Sequence, residues 1–428
     1  MKSCLEIIRI IIYTLAAYLF PNLFFSNVLN IIKNNQENIL FLSAFRRESE
    51  LEKNLLKLNY GIFFLDYPFQ KKVSGIFFGN HKEIYFNFIP KIKIMHLRIF
   101  FYKIFLKKFI TFIKKKYNIS KIFNFAIHYK SEFLFDQIAV TNDVKFITFH
   151  RECLYCSEAI TKSITVNLKK ILPFNGTKII VHNKIVKDIF IKSKFCSGDK
   201  IEVIGPLRID KISQHNKNLS KKRKGFKKKT VLFYIFGTGC LLSTKSSYFK
   251  EMSTDPKYGW YNLVENTFRI ILENAEKFPK HEFIFKAKFA SPELISLFKR
   301  MINNRNLKNV KFFTEDKNYF LLKKSDLVIS FGSTTILEAL MMNKSVLIPF
   351  FDEVKDSKYK KHIPFRELIK TNIGCSEKKI FNQNIRKFLN ENKKFYLDKN
   401  QKKSLLFKYL SVSNELNSDK VSKIIRSI

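Results

Sequence analysis

The chain has 428 residues, too many for one ordinary α/β domain and comfortable for two, and its 46% hydrophobic content fills two cores. Glycine and proline number only 12 and 10, which excludes a largely disordered chain. The net charge of +42 favours an anionic partner, whether nucleic acid, phospholipid head groups or nucleotide phosphates. The lysines are spread along nearly the whole chain, in a background rich in Lys, Ile, Asn and Phe. Compositional drift therefore competes with dedicated nucleic-acid binding, which clusters charge on one face or tail.

Residues 5 to 32 are strongly apolar, interrupted by Arg9 and Pro21, with no small-residue cleavage site after them. The uninterrupted run Ile10 to Phe20 is short for a membrane span. Residues 1–34 are expected to be a helical segment lying at a membrane surface or packed on the body, with a single signal anchor as a third reading. A strand–helix rhythm starts at residue 38. Asn38–Phe45 is a buried strand, Arg46–Leu58 a helix and Tyr60–Tyr67 a strand, which together make a βαβ unit. A long basic helix is expected over Ile94–Tyr117, a strand over Lys121–His128 and a helix over Ser131–Thr141. Strands follow at Val144–His150, Lys178–His182 and Lys200–Gly205, closing a first domain over 38–210.

Residues 211–229 are polar and basic, and read as an interdomain linker. The rhythm restarts in a second domain over 230–395. Its strands are Thr230–Phe236, Glu282–Ala287, Val310–Phe313, Leu327–Ser330 and Ser345–Phe350. Its helices cover Tyr261–Lys277, Pro292–Asn303 and Thr334–Met342, with a short one at Leu321 and Leu322. Residues 396–428 form a helical tail. The fold class is thus α/β, two Rossmann-like domains facing across a cleft, with an extra apolar N-terminal helix.

The segment most suggestive of chemistry is Ser330-Phe331-Gly332-Ser333-Thr334-Thr335, with Glu338 one turn into the next helix. Gly332 permits a tight turn, a hydroxyl residue caps the helix, and the free N–H groups of the first turn favour a phosphate. A carboxylate at Glu338 can accept from sugar or ribose hydroxyls. The competing reading is an ordinary capped βα turn. Gly237-Thr238-Gly239 after a strand offers N–H groups to a diphosphate, and Lys286 at a strand end offers a charge. Asp352 and Glu353 follow the last strand and are expected to line the donor pocket, a metal site there being the weaker reading because no further ligand stands at suitable spacing. In the first domain, His150-Arg151-Glu152 ends a strand. His150 or Glu152 suits a general base, Glu152 being preferred, and Arg151 suits a phosphate or acidic sugar. An ion-pair cluster is the competing reading. Cys153 and Cys156 form a lone CxxC, and no metal site is expected.

These segments resemble the two-domain (GT-B fold) glycosyltransferases of surface and capsular polysaccharide synthesis and the related glycerophosphotransferase-like proteins. The turn at 330–338 is similar to their "S-x-G-S/T-T" donor segment with its Glu. Val203-Ile-Gly205-Pro206-Leu-Arg208-Ile-Asp210 resembles their "V-x-G-x-P-R-x-D", and Thr148-Phe-His150-Arg151-Glu152 their "H-(K/R)-E". Phe283-Ile-Phe-Lys286-Ala-Lys288-Phe289 stands where they often carry "K-P-H-P", with Lys288 replacing the histidine and Phe289 the proline. A lysine there keeps a charge but gives no neutral acid or base. The resemblance implies a metal-independent sugar transfer from a nucleotide-activated donor, bound by Gly237, Thr238, Lys286, Ser330, Gly332, Ser333, Thr334, Thr335 and Glu338. The acceptor is expected to be a surface polysaccharide or lipid-linked glycan, with Arg151 and Arg208 as acceptor or phosphate contacts. No cofactor beyond the donor is expected, and the place of work is the inner face of the cytoplasmic membrane. Transfer of a polyol phosphate and nucleotide-sugar 2-epimerisation are the enzymatic alternatives, and a basic nucleic-acid-binding protein the non-enzymatic one.

Overall fold

In a computed structural model, the described residues are 2–42, 49–79, 93–127, 129–217, 228–242, 259–287, 292–315 and 317–428. His81, His128, Lys288, Phe289 and the basic run 218–227 lie outside them. The chain opens with helices α1 (Lys2–Leu19) and α2 (Pro21–Phe25), then strands β1 (Leu29–Lys33) and β2 (Asn38–Phe41). Next come α3 (Ser49–Lys57), β3 (Gly61–Leu65), α4 (Tyr67–Phe78), α5 (Lys93–Tyr117) and β4 (Ile119–Asn124). They are followed by α6 (Phe135–Val140), β5 (Lys145–Phe149), α7 (Glu158–Leu168), β6 (Lys178–Val181), α8 (Lys184–Lys192), β7 (Ile201–Val203) and α9 (Ile209–Lys217). The second run is β8 (Thr230–Ile235), α10 (Tyr261–Lys277), β9 (Glu282–Ala287), α11 (Pro292–Asn303), β10 (Val310–Phe313), α12 (Asn318–Lys324), β11 (Leu327–Ile329) and α13 (Thr334–Met341). It closes with β12 (Ser345–Pro349), β13 (Gly374–Cys375), α14 (Lys378–Glu391), α15 (Lys399–Leu410) and α16 (Asn417–Ser427).

Two compact units result. Unit 1 holds residues 1–153, 164–210 and 409–428, and unit 2 holds 154–163 and 211–408. The unit 1 sheet has seven strands in the order β1-β3-β2-β4-β5-β6-β7. All its neighbours are parallel except β1, which pairs antiparallel with β3 along one edge. Strands β2 and β3 are buried along their whole length, as strands inside a parallel sheet are. Ile39, Phe41, Ile62, Phe123 and Ile147 pack in one cluster with Leu51 and Leu55 of α3 and with Val421 and Ile425 of α16. The last helix of the chain therefore completes the first core.

Unit 2 carries six parallel strands in the order β10-β9-β8-β11-β12-β13. Counted within the unit this is 3-2-1-4-5-6, the order of dinucleotide-binding sheets, and it reverses between β8 and β11.

Several boundaries differ from those expected. The apolar stretch before residue 34 is not helical throughout: Leu29–Lys33 is an edge strand, because β3 presents an open backbone edge to it. The strand expected to reach His128 stops at Asn124, where the Asn124 side chain donates to Ala126 O and turns the chain. Residues 211–217, part of the expected linker, continue α9. Helix α4 was not anticipated. Asp66 caps it by accepting from Phe69 N–H at 2.9 Å, and Pro68 stands in its first turn.

Candidate functional site

In unit 2, β8 and β11 lie side by side, Phe233 opposite Ile329. Their C-terminal ends flank the point where the strand order reverses, the place where open α/β sheets bind ligands. The two segments singled out from the sequence, Gly237-Thr238-Gly239 and Ser330–Thr335, emerge there from adjacent strands. They touch. The Cys240 thiol lies 3.7 Å from Phe331 O, and the Phe236 and Phe331 rings are 5.1 Å apart.

Gly332 has φ +62°, and a Cβ on it would stand 2.8 Å from Leu241 Cδ1, 3.2 Å from Pro364 Cγ and 3.3 Å from Cys240 Sγ. Glycine is required here for both conformation and space. Ser333 caps α13, its Oγ accepting from Thr335 N–H at 3.3 Å and from the Thr335 hydroxyl at 2.8 Å. The chain's single tryptophan floors the turn. Trp260 is fully buried, lies 5.1 Å from the Phe331 ring and donates through Nε1 to Cys240 O at 2.8 Å. Glu338 lies four residues after Thr334, on the same helix face, and is buried rather than solvated at the surface. The Ser330 hydroxyl is also buried and has no hydrogen-bond partner among the described residues. An orphaned buried hydroxyl at the mouth of a helix points to a ligand.

Lys286 is not brought to this turn. It stands on β9, on the far side of β8, and its buried ammonium donates to Ala287 O at 2.8 Å and Thr314 O at 3.4 Å. Glu353 and Asp352 are engaged elsewhere. Glu353 accepts from Asn262 and Leu263 N–H at 2.7 and 2.9 Å, capping α10 from a distance, and Asp352 pairs with Lys378 at 2.8 Å.

In unit 1, the ends of β5, β6 and β7 build a second site. His150, Arg151, His182, Gly205, Pro206 and Arg208 line one pocket with Phe149, Ile180 and Leu207, around about 300 Å³ of space partly open to solvent. Two motifs nearly sixty residues apart in the sequence thereby meet, and no carboxylate is among the lining residues. Gly205 (φ +103°) lets the chain turn against the C-terminal tail: a Cβ there would stand 2.3 Å from Leu410 O. Asp210 accepts from Asn417 and Ser418 N–H at 2.9 and 2.8 Å and so caps α16. Gly205 and Asp210 thus hold the tail, while Arg208 lines the pocket. His182 was missed in the sequence, where it reads only as the end of a strand. Burial first, then the charges of Arg208, His150 and Arg151, hold its imidazole well below the ordinary value, so it is neutral at pH 7. Glu152 is half-buried and is not a lining residue; His150 is. Cys153 is buried and accepts from His182 N–H at 3.4 Å, and burial pushes its thiol up to about 12, so it is inert.

A second pocket of unit 1, about 470 Å³ and partly open, was not anticipated. Asn124 and Thr148, opposite each other on β4 and β5, line it with Glu132, Asp136, Tyr129 and Asn175. Asn124 Oδ1 and Thr148 Oγ1 are buried without partners among the described residues, and burial raises the Asp136 carboxyl. Only strand register brings Asn124 and Thr148 together, and no local pattern announces that. Among the described residues no group of His, Cys, Asp and Glu is arranged to hold a metal ion.

No family model matches the chain, and no curated protein matches it. Solved structures do. A UDP-GlcNAc 2-epimerase from Neisseria meningitidis, bound to UDP-GlcNAc, is 11% identical, with a TM-score of 0.50 over 92% of this chain and 100% of that one. The UDP-GlcNAc 2-epimerase of Methanocaldococcus jannaschii is 12% identical, also with a TM-score of 0.50, over 92% and 99%. The wall teichoic acid polymerase TagF is 12% identical, with a TM-score of 0.50 over 92% and 89%. The likeness at these identities is one of fold, and the chain has the two-domain, Rossmann-like GT-B fold that its motifs imply.

Proposed function

We propose that the protein is an enzyme that transfers a sugar from a nucleotide-activated donor to a surface-polysaccharide or lipid-linked glycan acceptor. The observation that carries this reading is the head of α13: a glycine turn at the switch point, a capped helix start, a buried orphan hydroxyl at Ser330 and a buried Glu338 one turn in. The donor's diphosphate takes the N–H groups around Ser333 and Thr334, with Gly237 and Thr238 alongside. The positive end of the helix stabilises the charge that develops on the leaving nucleoside diphosphate. Glu338 accepts from ribose or sugar hydroxyls. Two similar solved structures support a nucleotide-sugar ligand by their names and, in one case, by the bound UDP-GlcNAc.

The unit 1 pocket supplies the acceptor side. Two arginines and two histidines suit a phosphate or an acidic sugar. His150, which lines the pocket, is the better placed base for the acceptor hydroxyl, and Glu152 becomes its neighbour rather than the primary base. The second pocket, with two carboxyls and two orphan amide or hydroxyl oxygens, suits a hydroxyl-rich group instead.

The test is a panel of nucleotide sugars and nucleotide-activated polyols, with and without a glycan acceptor. Acceptor-dependent release of nucleoside diphosphate supports sugar transfer. Change of the donor sugar without an acceptor means 2-epimerisation, and release of a nucleoside monophosphate from a nucleoside-diphosphate-linked polyol means polyol-phosphate transfer. Failure to bind any donor, alongside tight salt-sensitive RNA binding, defeats the enzyme reading.

A further inference from the structure

Helix α1 is apolar on two opposite sides. Ile10, Thr14 and Ala17 are buried and face inward, where α1 packs along α5. Leu5, Ile8, Ile12, Leu15 and Leu19 recur at alternating steps of three and four and form a stripe on the opposite side, each 51–63% exposed. Phe20 and Leu23 carry the exposed apolar surface into α2. A globular surface helix turns a polar face outward, so a helix with a second apolar face has another medium or partner to bury it in.

The charges at the edge of the stripe say which. Helix α5 runs alongside α1 and contains no Asp or Glu, and all of its charged residues are Lys or Arg. Lys108 Nζ stands 4.2 Å over the exposed Tyr18 ring, and Lys116 Nζ donates to Ser26 Oγ at 2.9 Å and Asn22 Oδ1 at 3.3 Å. Cations thus border the apolar stripe along the seam of the two helices, with an aromatic ring between. Apolar stripe, interfacial aromatic and flanking lysines are what a helix needs to lie in the boundary of an anionic bilayer. A two-fold contact with a second copy would bring the same cations of both copies together. No helix of the described residues is long and apolar enough to cross a membrane.

We propose that α1 and the start of α2 dock on an anionic phospholipid surface, with the stripe from Leu5 to Leu19 in the acyl boundary and Lys108 and Lys116 at the head groups. The proposal is independent of the sugar-transfer reading, since lipid binding is measured without any nucleotide. The experiment is co-sedimentation of the full chain with vesicles of phosphatidylethanolamine and phosphatidylglycerol, against vesicles of phosphatidylcholine alone, at low and high ionic strength. The wild type is expected to pellet with the anionic vesicles and to be released by salt. The double variant Ile12→Glu, Leu15→Glu changes two exposed positions, so its fold is checked by an unchanged melting temperature. Its vesicle affinity is expected to fall by about tenfold or more. Lys108→Gln with Lys116→Gln, the two cations that border the stripe, is expected to weaken binding to anionic vesicles alone. Three results would overturn the proposal. They are a wild type that stays in the supernatant with both vesicles, equal binding to neutral and anionic vesicles, and a wild-type dimer in light scattering that the Ile12→Glu, Leu15→Glu variant converts to monomer.

Discussion

The turn at the head of α13 and the arginine–histidine pocket of unit 1 are built by opposite routes. The first is a contiguous run: strand, glycine, hydroxyl cap, helix and carboxylate all fall between Leu327 and Glu338. The groups proposed to meet a ligand there are backbone N–H groups, a helix end and short side chains, with Glu338 one turn in. The second draws His150, His182 and Arg208 from the ends of three strands and depends on the C-terminal tail, held through Gly205 and Asp210. Its groups are long or ionisable. The backbone groups of the first site are set largely by local geometry and do not titrate, whereas a side-chain site depends on distant packing and on protonation.

That contrast is broken most severely at its glycines. Gly205→Ala places a Cβ 2.3 Å from a backbone carbonyl of the tail at a φ of +103°. The expected loss is about 3–5 kcal/mol of stability, and the C-terminal helix becomes the first segment to gain amide exchange. Gly332→Ala meets side-chain ends that yield a little, at 2.8–3.3 Å, so about 2–4 kcal/mol is expected. The two separate in readout. Thermal unfolding of Gly332→Ala with added nucleotide should show no ligand-induced rise, while a Gly205→Ala chain that still folds should keep that rise. A rise retained in Gly332→Ala would remove the α13 turn from the donor site.

The same contrast explains what was legible. The strands Thr230–Ile235 and Leu327–Ile329 and the long helix α5 show in their residue patterns, and the α13 turn shows because all its signals lie within a dozen residues. Lys286 was readable as a strand-end lysine, but its rotamer, turned to Thr314 O, depends on the neighbouring β10. Strand β1 is a strand only because β3 has a free edge. His182 and the pair Asn124 and Thr148 become site residues through sheet register and through loops that fold over them, neither of which leaves a local pattern. Helix α4 does carry a local start signal, Asp66 with Pro68 two residues on, but the mixed aromatic sequence after it obscures the helical period.

Glu338→Gln is the next largest effect. The amide keeps the shape and burial of the side chain but donates where the carboxylate only accepts. Binding of a nucleotide sugar is expected to weaken by about 10–100-fold by calorimetry, the worth of a hydrogen bond to a charged group, with the melting temperature little changed. An unaltered affinity would leave Glu338 a structural carboxylate and narrow the donor site to the backbone of the turn.

The smallest effect tests the side-chain half of the contrast. The folded protein holds the His182 imidazole well below its ordinary 6.5, through burial and the charges of Arg208, His150 and Arg151. Above that ordinary value neither the folded nor the unfolded chain protonates it, and it leaves stability unchanged. As pH falls below about 6.5 the unfolded chain takes up a proton that the folded chain refuses, so stability is lost progressively until the pH passes the folded value. Burial holds His281 and His362 low as well, so only the difference from a variant isolates His182. In His182→Gln the melting temperature is expected to fall by a few degrees less than in the wild type between about pH 7.5 and about pH 5.5. A phosphate in the pocket offsets the positive charges around His182 and favours its protonated form. Inorganic phosphate should therefore restore part of the acid loss in the wild type, and less of it in Arg208→Ala. Equal protection of both proteins would take Arg208 out of the anion site, while nucleotide stabilisation at α13 is expected to stay the same at both pH values.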